Sequence, residues 1–302
     1  MEEIMKNFFL WKVDRNLLSN LITTEVKLDP TLENLQSRIL ANTTQNPIYQ
    51  KFPIHPESKS SFFKTFLKLL IEHNVDILDE VYENSVPVVC NDGPQKYFKS
   101  YFDNKGTHLC SLVETKEFVS HGTTGLKTWP AAEYLYAYLL EHLEPSQKTI
   151  LELGSGVGFL GIATSVKKSD IIQEWIFTDH SDAVLSNVAE NASLNGIKHH
   201  KIVQLDWEQE IQSEDFPDYY DLIVGTDIVF DTRIIEPLCR TLKRLMSAPH
   251  HPKAIIANVE RNQDTKEAFE VNLRNSGLDF IVQRNDDDNI VMLLYHIEMQ
   301  GS

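Results

Sequence analysis

The chain has 302 residues, 42% hydrophobic and 24% charged, which suits a globular protein burying a substantial core in one large domain or two smaller ones. Its formal net charge of −16 is unevenly placed: residues 1–118 hold 13 Lys/Arg against 16 Asp/Glu, and residues 119–302 hold 15 against 28. So acidic a second portion repels phosphate backbones and argues against a nucleic-acid ligand, while it serves either a basic macromolecular partner or plain solubility.

The opening "MEEIMKNFFLWKVD" begins with acids and lacks the basic-then-apolar order of a secretory signal. No window approaches the roughly 18 apolar residues that span a bilayer. Three scattered cysteines, Cys90, Cys110 and Cys239, fit neither a disulfide framework nor a metal cluster. A cytoplasmic monomer with no metal and no membrane attachment is expected.

The first 115 residues read as helical and irregular. "LENLQSRIL" sets Leu32, Leu35 and Ile39 at helical spacing, and "SFFKTFLKLLIEH" does so with Phe62, Phe63, Phe66, Leu67, Leu70 and Ile71. Between them "NPIYQKFPIHPESKS", with three prolines, reads as a connector. No catalytic constellation stands out here, so the apolar stripes are assigned to packing or to a partner-docking face.

From about residue 119 the pattern alternates. "KTILELG" predicts a strand and a helix follows from about Phe159 to Val166; "EWIFTD" predicts a second strand. The next helix, "SDAVLSNVAENASLNG", has Ser181 at its N-cap and Gly196 at its stop. "KIVQLDW" and "YDLIVGTD" are further strands, then come the helix "RIIEPLCRTLKRLM", the strand "PKAIIANVE" and the helix "TKEAFEVNLRNSG". "LDFIVQR" and "NIVMLLYHIEM", separated by "NDDD", close the chain as a hairpin. Alternating β and α segments predict a parallel sheet with helices on both faces, and the hairpin adds antiparallel pairing.

In such sheets ligands sit at the carboxyl ends of the strands. After the first strand "TILELGSGVGFLGIA" repeats glycine at 154, 156, 158 and 161. Gly154-x-Gly156-x-Gly158 suits S-adenosylmethionine, whereas Gly156-x-Gly158-x-x-Gly161 satisfies the dinucleotide fingerprint, so the turn alone decides nothing. Glu152 and Asp179 end the first two strands, and a carboxylate at Asp179 can accept from both ribose hydroxyls in either ligand class. Asp206 and Trp207 end the third strand, where an acid can accept from an adenine amino group and an aromatic face can pack on the base. Thr226 and Asp227 end the fourth, and Asp227 with Phe230 forms an acid-x-x-aromatic pair; the lesser reading of Asp227 is a helix N-cap or a loop carboxylate without chemistry. His121 and His180 read as an ordinary loop histidine and a structural or solvated one.

In the order and spacing of "GLKTWPAAEYL", "LELGSGVGFLGI", Asp179, "LDW" and "DIVF", residues 116–302 resemble the class I S-adenosylmethionine-dependent methyltransferases, and more narrowly the lysine methyltransferases of methyltransferase family 16. The long N-terminal extension and "HGTTGLKTWPAAEYL" resemble the branch that methylates a lysine of eukaryotic elongation factor 2. The resemblance implies a Rossmann-like, seven-strand α/β sheet with a C-terminal antiparallel hairpin, preceded by a mostly helical region, 1–115; the lack of site residues in that region makes substrate docking its expected role. It implies S-adenosylmethionine as cofactor, held by Trp129 at its methionine side, by Glu152, Gly154, Ser155 and Gly156 in a first-strand cradle, and by Asp179 at the ribose. Trp207 would contact adenine with Asp206 nearby, Thr226 would back the cofactor, and Asp227 and Phe230 would shape the lysine channel as its catalytic residues, Phe standing where Tyr is common. The chemistry of the step gives Asp227 the role of docking the incoming amine and orienting its nitrogen, with water accepting the proton. Other acceptors (a histidine, an N-terminus, a small molecule) and a non-catalytic binding module are the rival readings, with a dehydrogenase third.

Overall fold

The computed structural model describes residues 1–86, 96–115, 125–211, 216, 219–287 and 290–301, and the chain divides into two compact units, Met1–Glu114 and Thr115–Ser302. Cys90 and His121 lie outside the described residues. Cys110 and Cys239 are buried and free.

The first unit contains six helices among its described residues: α1 Glu2–Phe9, α2 Arg15–Glu25, α3 Glu33–Asn42, α4 Pro47–Lys51, α5 Pro56–Glu72 and α6 Asp79–Ser85. An antiparallel pair comes next, β1 Phe98–Phe102 and β2 His108–Val113, which the sequence pattern did not announce. The proline-rich stretch expected to be a connector starts two helices instead. Asn46 accepts from the Ile48 N–H and His55 from the Glu57 N–H, while Pro47 and Pro56 occupy first-turn positions where no intrahelical donor is lost. Phe62, Phe63 and Phe66 of α5 are buried with Phe8 and Phe9 of α1, Phe8 meeting Phe62 edge-on at 5.2 Å. Ile71, placed on that apolar stripe by spacing, is 58% exposed; Leu69 is buried in its stead.

The second unit is built on a seven-stranded sheet in the order β5-β4-β3-β6-β7-β9-β8. Its strands are β3 Thr149–Leu153, β4 Glu174–Asp179, β5 His200–Gln204, β6 Leu222–Thr226, β7 Lys253–Val259, β8 Leu278–Asp287 and β9 Ile290–Met299. The first five are parallel, and β9 runs antiparallel to both β7 and β8. β9 therefore takes the inner place in the closing hairpin. "IVMLLYHI" can be buried on both faces, whereas β8 alternates with polar residues and leaves Ile281 70% exposed at the edge. Helices α7 Pro130–His142, α8 Phe159–Lys167, α9 Asp182–Leu194, α10 Thr232–Met246 and α11 Gln263–Asn275 connect the strands.

The chain goes from β3 outward to β4 and β5, then returns to β6 on the other side of β3. That reversal opens a crevice at the carboxyl ends of the strands. Continuous apolar runs hold the sheet rigid beneath it: Leu151, Leu153, Ile176, Ile223 and Ile256 are all buried in one core cluster. Helix α9 begins after Ser181 as expected, but the Ser181 side chain makes no capping bond; its N–H donates to Asp179 Oδ1 at 3.1 Å instead. Gly196, with φ +71°, comes after the last turn. Among the described residues no helix is long and apolar enough to cross a membrane.

Candidate functional site

The β3–α8 turn forms the floor of the crevice. Gly154 and Gly156 adopt φ of +62° and +54°, a region open to glycine and costly for residues with a Cβ. Space reinforces the choice. A Cβ on Gly154 would stand 2.8 Å from Ile228 Cγ2, and one on Gly156 would stand 3.0 Å from the Gly125 carbonyl oxygen. Gly161 answers to a different need: a Cβ there would lie 2.4 Å from both Phe177 and Trp175, so it lets α8 press against β4. The dinucleotide-type spacing thus joins residues with unrelated duties. Ser155 ties the turn to β4, its N–H donating to the Thr178 carbonyl (2.8 Å) and its hydroxyl accepting from the Thr178 N–H (2.9 Å).

All eleven residues singled out from the sequence line one cleft of about 490 Å³: Trp129, Glu152, Gly154, Ser155, Gly156, Asp179, Asp206, Trp207, Thr226, Asp227 and Phe230. On the β4–β5 side, Asp179 is buried but opens to the cleft. Its Oδ1 accepts from the Ser181 N–H and faces His180 Nδ1 at 3.2 Å, while Oδ2 has no protein donor among the described residues. Contact with Asp179 holds the His180 imidazole above its ordinary pKa. Asp206 closes its own turn, accepting from the Glu208 N–H and from Gln209 Nε2, both at 2.9 Å. Trp207 borders the glycine floor, 3.7 Å from where a Gly154 Cβ would sit.

Glu152, on the central strand, is 1% exposed and accepts a 2.8 Å bond from the Trp175 indole N–H. Burial pushes its carboxyl up to about 8, against the opposing pull of that indole and of a backbone bond from Gly161. At neutral pH it is mostly a neutral acid.

The β6–β7 side is built around Asp227, a non-glycine residue at φ +52° whose strain is overdetermined by its bonds. Oδ2 accepts from the Ala131 N–H in the first turn of α7 (3.3 Å), a helix whose own N-cap, Trp129, makes no side-chain cap. Oδ1 accepts from the Val259 N–H at the end of β7 and pairs with Arg261 Nη1, both at 3.1 Å. The carboxylate expected to meet an amine therefore already joins α7, β6 and β7. Phe230 is 55% exposed at the cleft mouth. Thr226 ends β6 beside them.

Three residues carried no flag in the sequence. Asn258 clamps the 227–230 loop, accepting from the Val229 N–H at 3.1 Å and donating to its carbonyl at 2.8 Å. Arg261 lies over the Trp129 ring at 5.2 Å, and Lys127, which also lines the cleft, lies 5.4 Å from the same ring centroid. Asn258 and Arg261 lie at a strand's carboxyl end, so the topological rule that found Asp179 could have found them. Lys127 stands inside "GLKTW" with no signal beyond its charge.

The lining suits a nucleoside with a charged tail: an open carboxylate for a diol, an aromatic wall for a base, and a floor without Cβ atoms close to the ligand. Among the described residues no group of three or more His, Cys, Asp or Glu could hold a metal ion.

A family profile described as lysine methyltransferase matches residues 112–275, more than half of the chain. The human protein-lysine N-methyltransferase EEF2KMT is 27% identical over 292 residues, covering 91% of this chain and 88% of its own. The Saccharomyces cerevisiae protein-lysine N-methyltransferase EFM3 is 24% identical, covering 74% of this chain and 75% of its own. Among solved structures, a METTL16 methyltransferase domain is similar over 58% of this chain and 84% of its own, at 10% identity and a TM-score of 0.45.

Proposed function

The chain belongs to the lysine methyltransferase family, whose methyl donor is S-adenosylmethionine, and we propose that its acceptor is a lysine of translation elongation factor 2. The substrate is a protein. Likeness to EEF2KMT across nearly the whole chain, first unit included, is the observation that carries the choice of acceptor.

When bound, S-adenosylmethionine supplies an electrophilic methyl carbon on a sulfonium centre. In our reading Asp179 holds the ribose diol through its open oxygen, Trp207 packs on the adenine, and Asp206 stands beside it. The Gly154–Gly156 floor lets the backbone approach closely. Glu152, Thr226 and Trp129 enclose the amino-acid end. Phe230 forms the apolar lip of the channel through which the lysine enters.

The chain's main chemical task is to align the amine and deliver it neutral. At a reference pKa near 10.4, deprotonating a lysine at pH 7.4 costs about 4 kcal/mol. An apolar channel lowers that cost by disfavouring the ammonium. An uncompensated carboxylate would raise it, and Arg261 offsets the Asp227 charge that would otherwise do so. Asp227 and Phe230 thus shape the channel, Asp227 by fixing α7 and the 227–230 loop around it. The proton leaves to water.

The test is incubation of the full chain with labelled S-adenosylmethionine and elongation factor 2, followed by mass spectrometry. Methylation of one lysine is expected. If elongation factor 2 stays unlabelled while a lysate protein is methylated, the acceptor is a different protein. The first unit, none of whose described residues lines the cleft, is assigned to substrate docking on the same reading.

A further inference from the structure

Cleft electrostatics leave one group without a use. Asp179, Asp206, Glu208, Asp227 and Asp231 give the cleft an acidic lining, which suits the diol and amino groups of the donor but repels its carboxylate. A cation would offset that repulsion, and among the described residues three of the cations lining or bordering the cleft are already paired. Arg233 pairs with Asp231, His180 faces Asp179, and Arg261 pairs with Asp227. Lys127 lines the cleft and, among the described residues, has no carboxylate partner; its ammonium lies against the face of Trp129.

Its position agrees with its charge. Asp179 ends β4 and Asp206 lies just past β5, both on one side of β3, so a ligand seated there extends its tail across β3 toward β6. The strap that carries Lys127 crosses that end: Gly125 places its carbonyl 3.0 Å from where a Gly156 Cβ would stand. Two residues farther on comes Lys127, and two beyond it Trp129 opens α7.

We propose that Lys127 anchors the carboxylate at the amino-acid end of the methyl donor. This rests on the reading that the cleft takes S-adenosylmethionine. A lysine serves here as a compact point charge on a flexible stem, so the strap need not be rigid for the contact to form. The Trp129 face keeps the ammonium beside the cleft, and the contact to the carboxylate selects the intact amino-acid tail over donors that lack it.

The test is calorimetry on the full chain with S-adenosylhomocysteine and with its decarboxylated analogue, which differ only in the carboxylate. Lys127→Met should weaken S-adenosylhomocysteine about 10- to 100-fold, the range of a hydrogen bond to a charged group, and leave the analogue unchanged. Lys127→Arg, which keeps the charge, should retain most of the affinity. Equal weakening of both ligands, or of neither, overturns the assignment of Lys127 while the donor reading stands. Failure of the unmutated chain to bind either ligand overturns the donor reading itself.

Discussion

Two carboxylates end two parallel strands on opposite sides of β3, and the molecule uses them in opposite ways. Asp179, the last residue of β4, spends one oxygen on the start of α9 and leaves the other open to the cleft. Asp227, after β6, spends both oxygens on protein groups: the first turn of α7, the end of β7 and Arg261. The surroundings of each strand end make the difference. The chain turns from Asp179 directly into its own helix, whereas Asp227 lies between two neighbours that bring donors from 96 and 32 residues away. An acid at a strand's carboxyl end is therefore either a ligand-binding group or a structural clamp, according to what its neighbours donate.

Substitution separates the two. Asp227→Ala strips the Ala131 and Val259 N–H groups and Arg261 of their common partner, and should destabilise the fold by about 3 kcal/mol in urea denaturation. An unchanged midpoint would mean the clamp is nominal. Asp179→Ala should act on ligand instead, weakening S-adenosylhomocysteine about 30-fold, equivalent to about 2 kcal/mol, with a much smaller loss of stability. Undiminished affinity would remove Asp179 from the ribose site.

The sheet was largely legible because parallel strands buried on both faces announce themselves as apolar runs, and glycine with acids at their ends marks the working edge. Asp179 and Asp227 looked alike in sequence because the groups that tell them apart, Ala131, Val259 and Arg261, are brought in only by the strand order. The inner position of β9 agrees with its apolarity, but the hairpin pattern alone does not say which of its strands lies inside. In the first unit, prolines suggested a break in structure, yet Pro47 and Pro56 occupy first-turn positions, where no intrahelical donor is lost.

Glu152, on the strand between the two sides, offers a third measurement. Its carboxyl titrates near 8 in the folded chain and near 4.5 when exposed. Between those values the native state holds a proton that the unfolded state has released. Stability therefore falls as pH rises from about 4.5 to about 8, on the order of 1 kcal/mol per unit, and levels above that. Glu152→Gln removes the ionisable group but keeps an acceptor for the Trp175 indole, and should flatten this segment of the stability–pH profile. A slope that survives the substitution belongs to other groups.

Arg261→Met gives the smallest effect and tests the clamp most closely. Its side chain is 41% exposed, so solvent screens the pair with Asp227, and the loss of stability should stay near 0.5 kcal/mol, about the level of exposed ion pairs. Asp227 would keep its two backbone donors and its place, but its charge would no longer be offset. A lysine beside it would then hold its proton more firmly, and the rising limb of the methylation rate against pH should move upward by about a few tenths of a unit. Arg261→Lys should restore the limb, since a cation of either shape supplies the charge, though not the full stacking on Trp129. An Arg261→Met enzyme with the original pH profile would show that the acceptor amine lies beyond the reach of Asp227, leaving the carboxylate as a clamp and nothing more.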